Sequence, residues 1–442
     1  MELTASYQRG WSSLQKNAFR FFACLFLLYL FPFPLDSFPF INEISSIHPK
    51  LSEWYGAIFG VYSNLWHSVI PWVGKQMVGI NNPITIFTNG SGDTTYDYVL
   101  LLTQFILAIL ASVIWAVLDR KRKSYNQAYY WLRVLVRYYL AGAMMGYGFA
   151  KVFHLQMPFP YLSQLVQPFG DKSPMGLAWS FIGYSKGYSA FTGWAEVIGG
   201  ALLLFRRTTT LGALTVAIVM LNIAAINYAY DVPVKLYSSM LFLMAAFLMA
   251  ADFGKLVDVM ILHKPVQAAS FPPMLNSRRL KITRAILKVL LIASMLYSNI
   301  SGSMDAMERY GDNRKLPKLY GIYNIETVVR NNDTLAPLTT DSTRWKQLII
   351  QFEKFAQVKM TNDSLRRFNF IVNDSLKSVL VYTNADTLNK STLHYEADST
   401  SLLLTGLLGK DSIYMRFRKY DIKNFRLVNR GFNWINEYPY NR

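Results

Sequence analysis

Residues 98–118 read YVLLLTQFILAILASVIWAVL and run directly into DRKRK at 119–123. A bilayer core is crossed by about 20 largely apolar residues in one helix. The stretch is that long and carries no charge, so it reads as a transmembrane helix closed by a cationic stop. Working outward with the same criterion gives seven spans, at about 18–35, 98–118, 128–153, 188–205, 209–230, 235–251 and 285–300. The first has Arg20 inside it, lacks a small-residue cleavage site and ends in Phe31-Pro32-Phe33-Pro34. It therefore reads as a retained helix rather than a signal peptide.

Composition agrees with a membrane chain. Of 442 residues, 52% are hydrophobic and only 16% charged, which excludes disorder and is too apolar for an average soluble pair of domains. The single cysteine, Cys24, excludes an internal disulfide, a CxxC redox pair and a thiolate zinc site. A net charge of +18 would suit nucleic acid or an anionic surface, but the excess is distributed as a topology signal. Within residues 1–300, 18 Lys and Arg fall on one side of the expected spans and six on the other. The N-terminus is thus expected in the cytoplasm of a bacterial inner membrane, and the region after the seventh span in the periplasm.

Four segments follow from this reading. Residues 1–127 hold two spans and an external amphipathic segment, 128–251 a four-helix core, 252–300 a basic loop with the seventh helix, and 301–442 a soluble β-rich domain. In the external segment 36–97, Tyr55, Phe59, Tyr62 and Trp66 share one helical face, with Trp54 and Trp72 nearby. That face suits either the headgroup region or the mouth of the bundle. The second external loop, 154–187, has Pro-Phe-Pro, Pro-Phe-Gly and Ser-Pro-Met-Gly steps that indicate ordered turns.

After Ser301 the composition turns to Asp, Asn, Ser and Thr. Strand-like runs occur at 320–329, 346–352, 368–372, 379–383, 393–396, 401–408, 413–418 and 425–436, with Asn, Asp and Gly between them. Short strands at this spacing predict an up-and-down barrel or a small sandwich. The last run, rich in aromatics and amides, either closes the barrel or lines a binding mouth.

Ionisable and amide groups within membrane helices are costly and face protein, partners or water. Glu196 lies in the fourth helix, with Gly199 and Gly200 on its face, and Lys151 ends the third helix as its natural partner. Tyr147 and Trp194 flank these two. Asn222 and Asn227 are expected to be buried amides on the fifth helix, with Asp231 and Lys235 at its mouth. These eight residues are the candidate polar pocket. Each also has a plainer use in ion pairing or helix packing. The G-x-G-x-x-K at 146–151 follows no strand and reads as helix packing; the G-x-S-x-G at 183–187 lacks the α/β sheet that its chemistry needs. His48, His67, His154, His263 and His394 show no metal-ligand spacing, so no metal is expected.

Gly148-Phe-Ala-Lys151, Glu196-Val-Ile-Gly199-Gly200 and Leu202-Leu-Leu-Phe205-Arg206-Arg207 together resemble the DoxX-like family of membrane proteins, and Asn222 to Lys235 fits its third helix and following turn. The resemblance covers about 128–251. It implies a membrane component linked to quinone-dependent oxidation of sulfur compounds or to envelope redox defence. The two extra N-terminal helices, the seventh helix and the β-rich tail depart from the small family members.

Two functions are expected on this basis. One is a quinone- or lipid-interacting component of an envelope redox system, with a partner protein supplying electrons. The other is a non-enzymatic anchor presenting a periplasmic β-barrel for envelope assembly or lipid handling.

Overall fold

The computed structural model describes residues 11–37, 49–86, 90–267 and 277–441. Arg9, His48 and the side chain of Tyr55 lie outside the described residues. The chain divides into two compact units. One holds Met1–Gln156 with Lys186–Ala306, and the other holds Met157–Ser185 with Met307–Arg442.

The first unit is a helical bundle. Its helices are α1 (Ser13–Leu30), α2 (Pro49–Val73), α3 (Thr95–Leu118), α4 (Asn126–Val152), α6 (Lys186–Leu203), α7 (Thr209–Ala229), α8 (Lys235–Ala250), α9 (Phe253–Met260) and α10 (Arg278–Arg309), which runs past the unit boundary. A further helix, α5 (Pro174–Tyr184), belongs to the other unit, as do the single turns Leu162–Leu165 and Arg426–Asn429. A core of Phe26, Leu140, Met144, Leu203, Val216, Leu241 and Leu248 joins α1, α4, α6, α7 and α8. Each segment read as a span coincides with a helix, but seven spans are not carried by length and composition. Among the described residues only Thr95–Leu118 and Thr209–Ala229 qualify, with Lys235–Ala250 and Phe253–Met260 as a third if that pair, bent by 74°, is one span.

The other helices fall short for identifiable reasons. α1 has 18 residues and includes Lys16 and Arg20; α4 includes Arg133, Arg137 and Lys151. α6 is equally short and is diluted by Glu196, Gly, Ser and Thr, and the first half of α10 is strongly basic.

In α2, Tyr62 donates to the Leu28 carbonyl at 3.1 Å and its ring meets Phe31 at 4.5 Å. Trp66 packs beside Ile70, Tyr96 and Val99. This face therefore covers α1 and α3, whereas Trp54 and Trp72 remain exposed.

The second unit is an eight-stranded antiparallel barrel. Its strands are β1 (Gly321–Arg330), β2 (Trp345–Phe352), β3 (Phe355–Met360), β4 (Leu365–Asn373), β5 (Ser378–Thr383), β6 (Asp386–Ala397), β7 (Ser401–Leu408) and β8 (Asp411–Tyr420). Each pairs with its sequence neighbour, and β1 pairs with β8 from Ile322↔Tyr420 to Arg330↔Ile413. Where β2 diverges from β1, the pair Asp333–Thr334 continues the ladder. Closure removes the free sheet edges.

The barrel interior is filled by side chains, as eight strands allow. Tyr323, Leu348, Val358, Phe370, Leu393, Leu404, Met415 and Phe417 are all buried there. Alternation slips at the bulges between Ile325 and Thr327 and between Trp345 and Gln347. The slip is why Trp345, Leu348 and Ile350 can all join the same core.

Two expectations are corrected here. The run at 425–436 is not a strand: Arg426–Asn429 is one helical turn, and Phe432, Trp434 and Ile435 are exposed. β8 closes the barrel instead. Conversely, β3 is a strand that lacks a conventional turn signal, because its hairpin with β2 turns through Glu353 and Lys354, with Lys354 at φ +69°.

Segment 157–185 is ordered and covers the outside of β1 and β2. Ile322 and Ile349 point outward yet are buried beneath Leu162, Leu165 and Val166, with Ile422 and Phe425 beside them. The Leu162 N–H donates to Gln351 Oε1 at 2.8 Å, across 189 residues of sequence. Burying two isoleucines is worth about 1.5–3 kcal/mol each.

A chain truncated after Arg430 is expected to keep its β-sheet circular dichroism and unfolding midpoint, because closure lies in β1 and β8; loss of the barrel signal would overturn this assignment. Phe417→Ala should destabilise the barrel by about 3–5 kcal/mol in urea unfolding. Hydrogen bonds from Thr400 and Ser401 hold the Asp398 carboxyl below the usual carboxylate range. Its stabilising effect is therefore present above the ordinary Asp pKa and is lost as pH falls through the depressed folded value. Asp398→Asn should flatten that acid limb.

Candidate functional site

α4 and α6 cross with their backbones touching. A Cβ added at Gly148 would meet the Gly193 carbonyl at 2.8 Å, and one at Gly193 would meet the Gly148 carbonyl at 2.6 Å. Only glycine permits that approach, as in the small-residue contacts of membrane helices. Two turns beyond, Gly200 faces α4, while Gly199 faces Val216 of α7. The two glycines after Glu196 thus serve different neighbours.

The crossing brings Lys151 and Glu196 together. Lys151 Nζ donates to Glu196 Oε1, and the residues are 6% and 1% exposed, so water does little to screen the pair. The Ser189 hydroxyl donates to the Lys151 carbonyl at 2.9 Å and ties the end of α4 to α6. Glu196 Oε2 is buried without a hydrogen-bond partner. Breaking a buried pair from one side leaves an uncompensated charge, so the two side chains depend on each other.

The other predicted site residues lie in separate places. Trp194 stands edge-on to Phe149 at 6.4 Å and is half exposed. Tyr147 meets Tyr237 at 5.9 Å. Both tyrosines, with Tyr29, Gln104, Asp97 and Ser91, line a cavity of about 400 Å³. Asn222 is exposed on α7 rather than buried.

Asn227, Asp231 and Lys235 gather at the α7–α8 turn. Asn227 Nδ2 donates to Ser238 Oγ at 3.0 Å, and Lys235 Nζ lies 2.8 Å from Asp231 Oδ1. Their organiser was not predicted: Asp93 accepts from the backbone N–H groups of Lys235 and Leu236 at 2.8 and 3.0 Å. It caps α8 across 142 residues, a distance at which no local spacing could announce it. The adjoining Gly92 N–H donates to the Pro233 carbonyl at 2.8 Å.

Two further cavities belong to the helical unit. An apolar groove of about 610 Å³ is lined by Phe19, Leu27, Phe33, Trp115, Trp131 and Leu135 among others. A basic cavity of about 440 Å³ contains Arg133, Arg137, Arg206, Arg207 and Lys255. Among the described residues no group of three or more His, Cys, Asp or Glu side chains is arranged to hold a metal ion.

Over 132 residues the chain is 34% identical to the uncharacterized protein YwoB of Bacillus subtilis (strain 168), covering 28% of this chain and 78% of the relative. The chain belongs to the family of YwoB. That kinship carries no activity, since YwoB is itself described only as uncharacterized. No family model matches the chain. No solved structure matches it significantly.

The ion pair can be tested by thermal unfolding of the full chain in neutral detergent. Lys151→Met or Glu196→Gln alone should cost about 3–5 kcal/mol, and the double variant should regain much of it. Equal, additive losses would show that the two groups are not coupled.

Proposed function

We propose that this chain is a multi-pass bacterial inner-membrane protein of the DoxX-like type whose helical unit binds one amphiphilic molecule, a lipid or a quinone. The observation that carries this reading is the 610 Å³ groove, whose walls are apolar and aromatic side chains of α1, α3, α4 and α10. A groove of that size fits within the range of ligand pockets, and apolar walls with few polar groups suit a hydrocarbon or isoprenoid chain.

Several features support membrane insertion of the whole bundle. α3 exposes Leu102, Phe105, Ile106, Leu110, Val113 and Ile114, a continuous apolar face suited to lipid. Lys151 and Glu196 weigh against α4 and α6 in a composition test, yet both face protein rather than solvent. Hydropathy counts a charge wherever it points, whereas a bilayer responds to the surface presented to it. The cationic bias of the connecting segments favours a cytoplasmic N-terminus and a periplasmic barrel.

In this reading Lys151 and Glu196 fix the α4–α6 crossing, and Glu196 Oε2 is the polar atom nearest to proton-handling chemistry. Electrons for any quinone reaction come from a partner protein of the envelope. A second reading, a non-enzymatic anchor that presents its barrel for envelope assembly, is favoured by the exposed Phe432, Trp434, Ile435 and Tyr438 after the barrel. Such a run of unburied aromatics suits a protein interface.

Native mass spectrometry of the full chain, purified in neutral detergent, distinguishes the two. The first reading expects a retained lipid or quinone that Ala128→Trp, on the groove wall, depletes several-fold. An amphiphile content identical in wild type and Ala128→Trp would sink it. Glu196→Gln should then alter quinone reduction in reconstituted membranes only if the pair also takes part in proton transfer.

A further inference from the structure

The basic cavity is built from four separate segments of the helical unit: the first half of α4, the α6–α7 connection, the start of α7, and the α8–α9 bend. It collects Arg133, Arg137, Arg206, Arg207 and Lys255 against a single carboxylate, Asp252. That carboxylate is already committed. Its Oδ2 accepts from Thr210 Oγ1 at 2.7 Å, its Oδ1 from Lys255 Nζ at 3.0 Å, and Arg133 Nη2 stands 3.8 Å away. One carboxylate cannot balance five cations, so the cavity holds a strong positive field.

Two of its guanidinium groups are also under-satisfied. Arg133 Nε and Arg137 Nε are buried without a hydrogen-bond acceptor. Arg137 Nη1 donates to Thr209 Oγ1 at 3.2 Å, and its guanidinium lies 5.2 Å from the Tyr138 ring centroid. Arg133 lies over Tyr129 at 5.7 Å and Arg206 over Tyr130 at 5.4 Å. Aromatic contacts thus hold three guanidinium groups beside the cavity, and those of Arg133 and Arg137 keep hydrogen-bonding capacity that the protein itself leaves unused.

A planar guanidinium matches phosphate oxygens with two parallel N–H bonds, and several together favour an oxyanion with more than one charged oxygen. We propose that this cavity binds a phosphate group, with Arg133 and Arg137 as the principal donors and Arg206, Arg207 and Lys255 supplying the field. The phosphate belongs either to an anionic phospholipid headgroup or to a soluble phosphate. The headgroup source rests on the membrane reading above and gains from one contact: Val134 lines both this cavity and the apolar groove. Basic pockets between membrane helices are suited to anionic headgroups.

The test uses the full chain in neutral, lipid-free detergent. In the first arm, inorganic phosphate is titrated while thermal unfolding is followed, with chloride at matched ionic strength as control. Phosphate should raise the melting temperature beyond chloride. Arg137→Gln should weaken the apparent phosphate affinity about tenfold, the cost of one charge-assisted hydrogen bond. Arg137→Lys, which keeps the charge but not the fork, should fall between the two.

In the second arm, native mass spectrometry compares retention of phosphatidylglycerol with that of phosphatidylcholine. Preference for phosphatidylglycerol that disappears in Arg137→Gln identifies the headgroup source; a phosphate response without that preference identifies a soluble phosphate. Overturning results are a phosphate effect no larger than chloride, or one that Arg137→Gln leaves intact. The phosphate arm contains no lipid, so an amphiphile-free groove beside an intact phosphate response removes only the groove reading.

Discussion

A lysine and a glutamate that water barely reaches, pressed together where two helices touch through their backbones, are the constraint on which the helical unit rests. The side chains of Lys151 and Glu196 are 7% and 1% exposed. Each would be prohibitive alone in an apolar interior. Their pairing requires Gly148 and Gly193, since a Cβ at either position would collide with the facing backbone. The glycines do not merely tolerate the charges; they set the helix separation at which the charges can meet. α6 then passes the same alignment to α7, where Gly199 lies against Val216 and Gly212 against Leu202.

The barrel solves a different problem with a different device. Closing β1 against β8 satisfies the sheet edges, but ordinary alternation along β1 and β2 puts the paired Ile322 and Ile349 on their outer side. A segment inserted between α4 and α6 covers them. Because residues 157–185 leave and re-enter the bundle at the ends of the two helices that carry the ion pair, the barrel's cover and the α4–α6 crossing share one stretch of chain.

What the sequence made legible divides along sequence distance. Apolar runs identified α1, α3, α4, α6, α7, α8 and α10 but not α5, which lies in a segment that reads as turns, nor α9, in one that reads as a basic loop, and alternation with Asn, Asp and Gly turns identified seven of the eight barrel strands, because those signals are local. Lys151 and Glu196 were readable for a related reason: a charge in an apolar run must find a partner, and few were available. Asp93 was not readable, since an acidic residue in a Gly-Ser loop looks like any solvated turn. Nor was the cover over Ile322 and Ile349, which depends on a segment more than 150 residues away. Asn222 shows the opposite error: an amide in an apolar helix suggested burial, but the residue lies on the outer face.

α4 shows how composition averages over faces that the structure keeps apart. Leu132, Val136 and Leu140 enter the core; Trp131, Leu135 and Tyr138 line the apolar groove; Tyr130, Arg133 and Arg137 line the basic cavity. The three sets advance by three or four residues, so each forms its own stripe on the helix. Averaged over its length, the helix looks like a poor membrane span. Resolved by face, it has one side packed in the protein core, one apolar and aromatic and one cationic, with Val134 between the last two. A molecule that occupied both outer stripes would have to be apolar at one end and anionic at the other, which is the chemistry of a phospholipid and not that of a quinone.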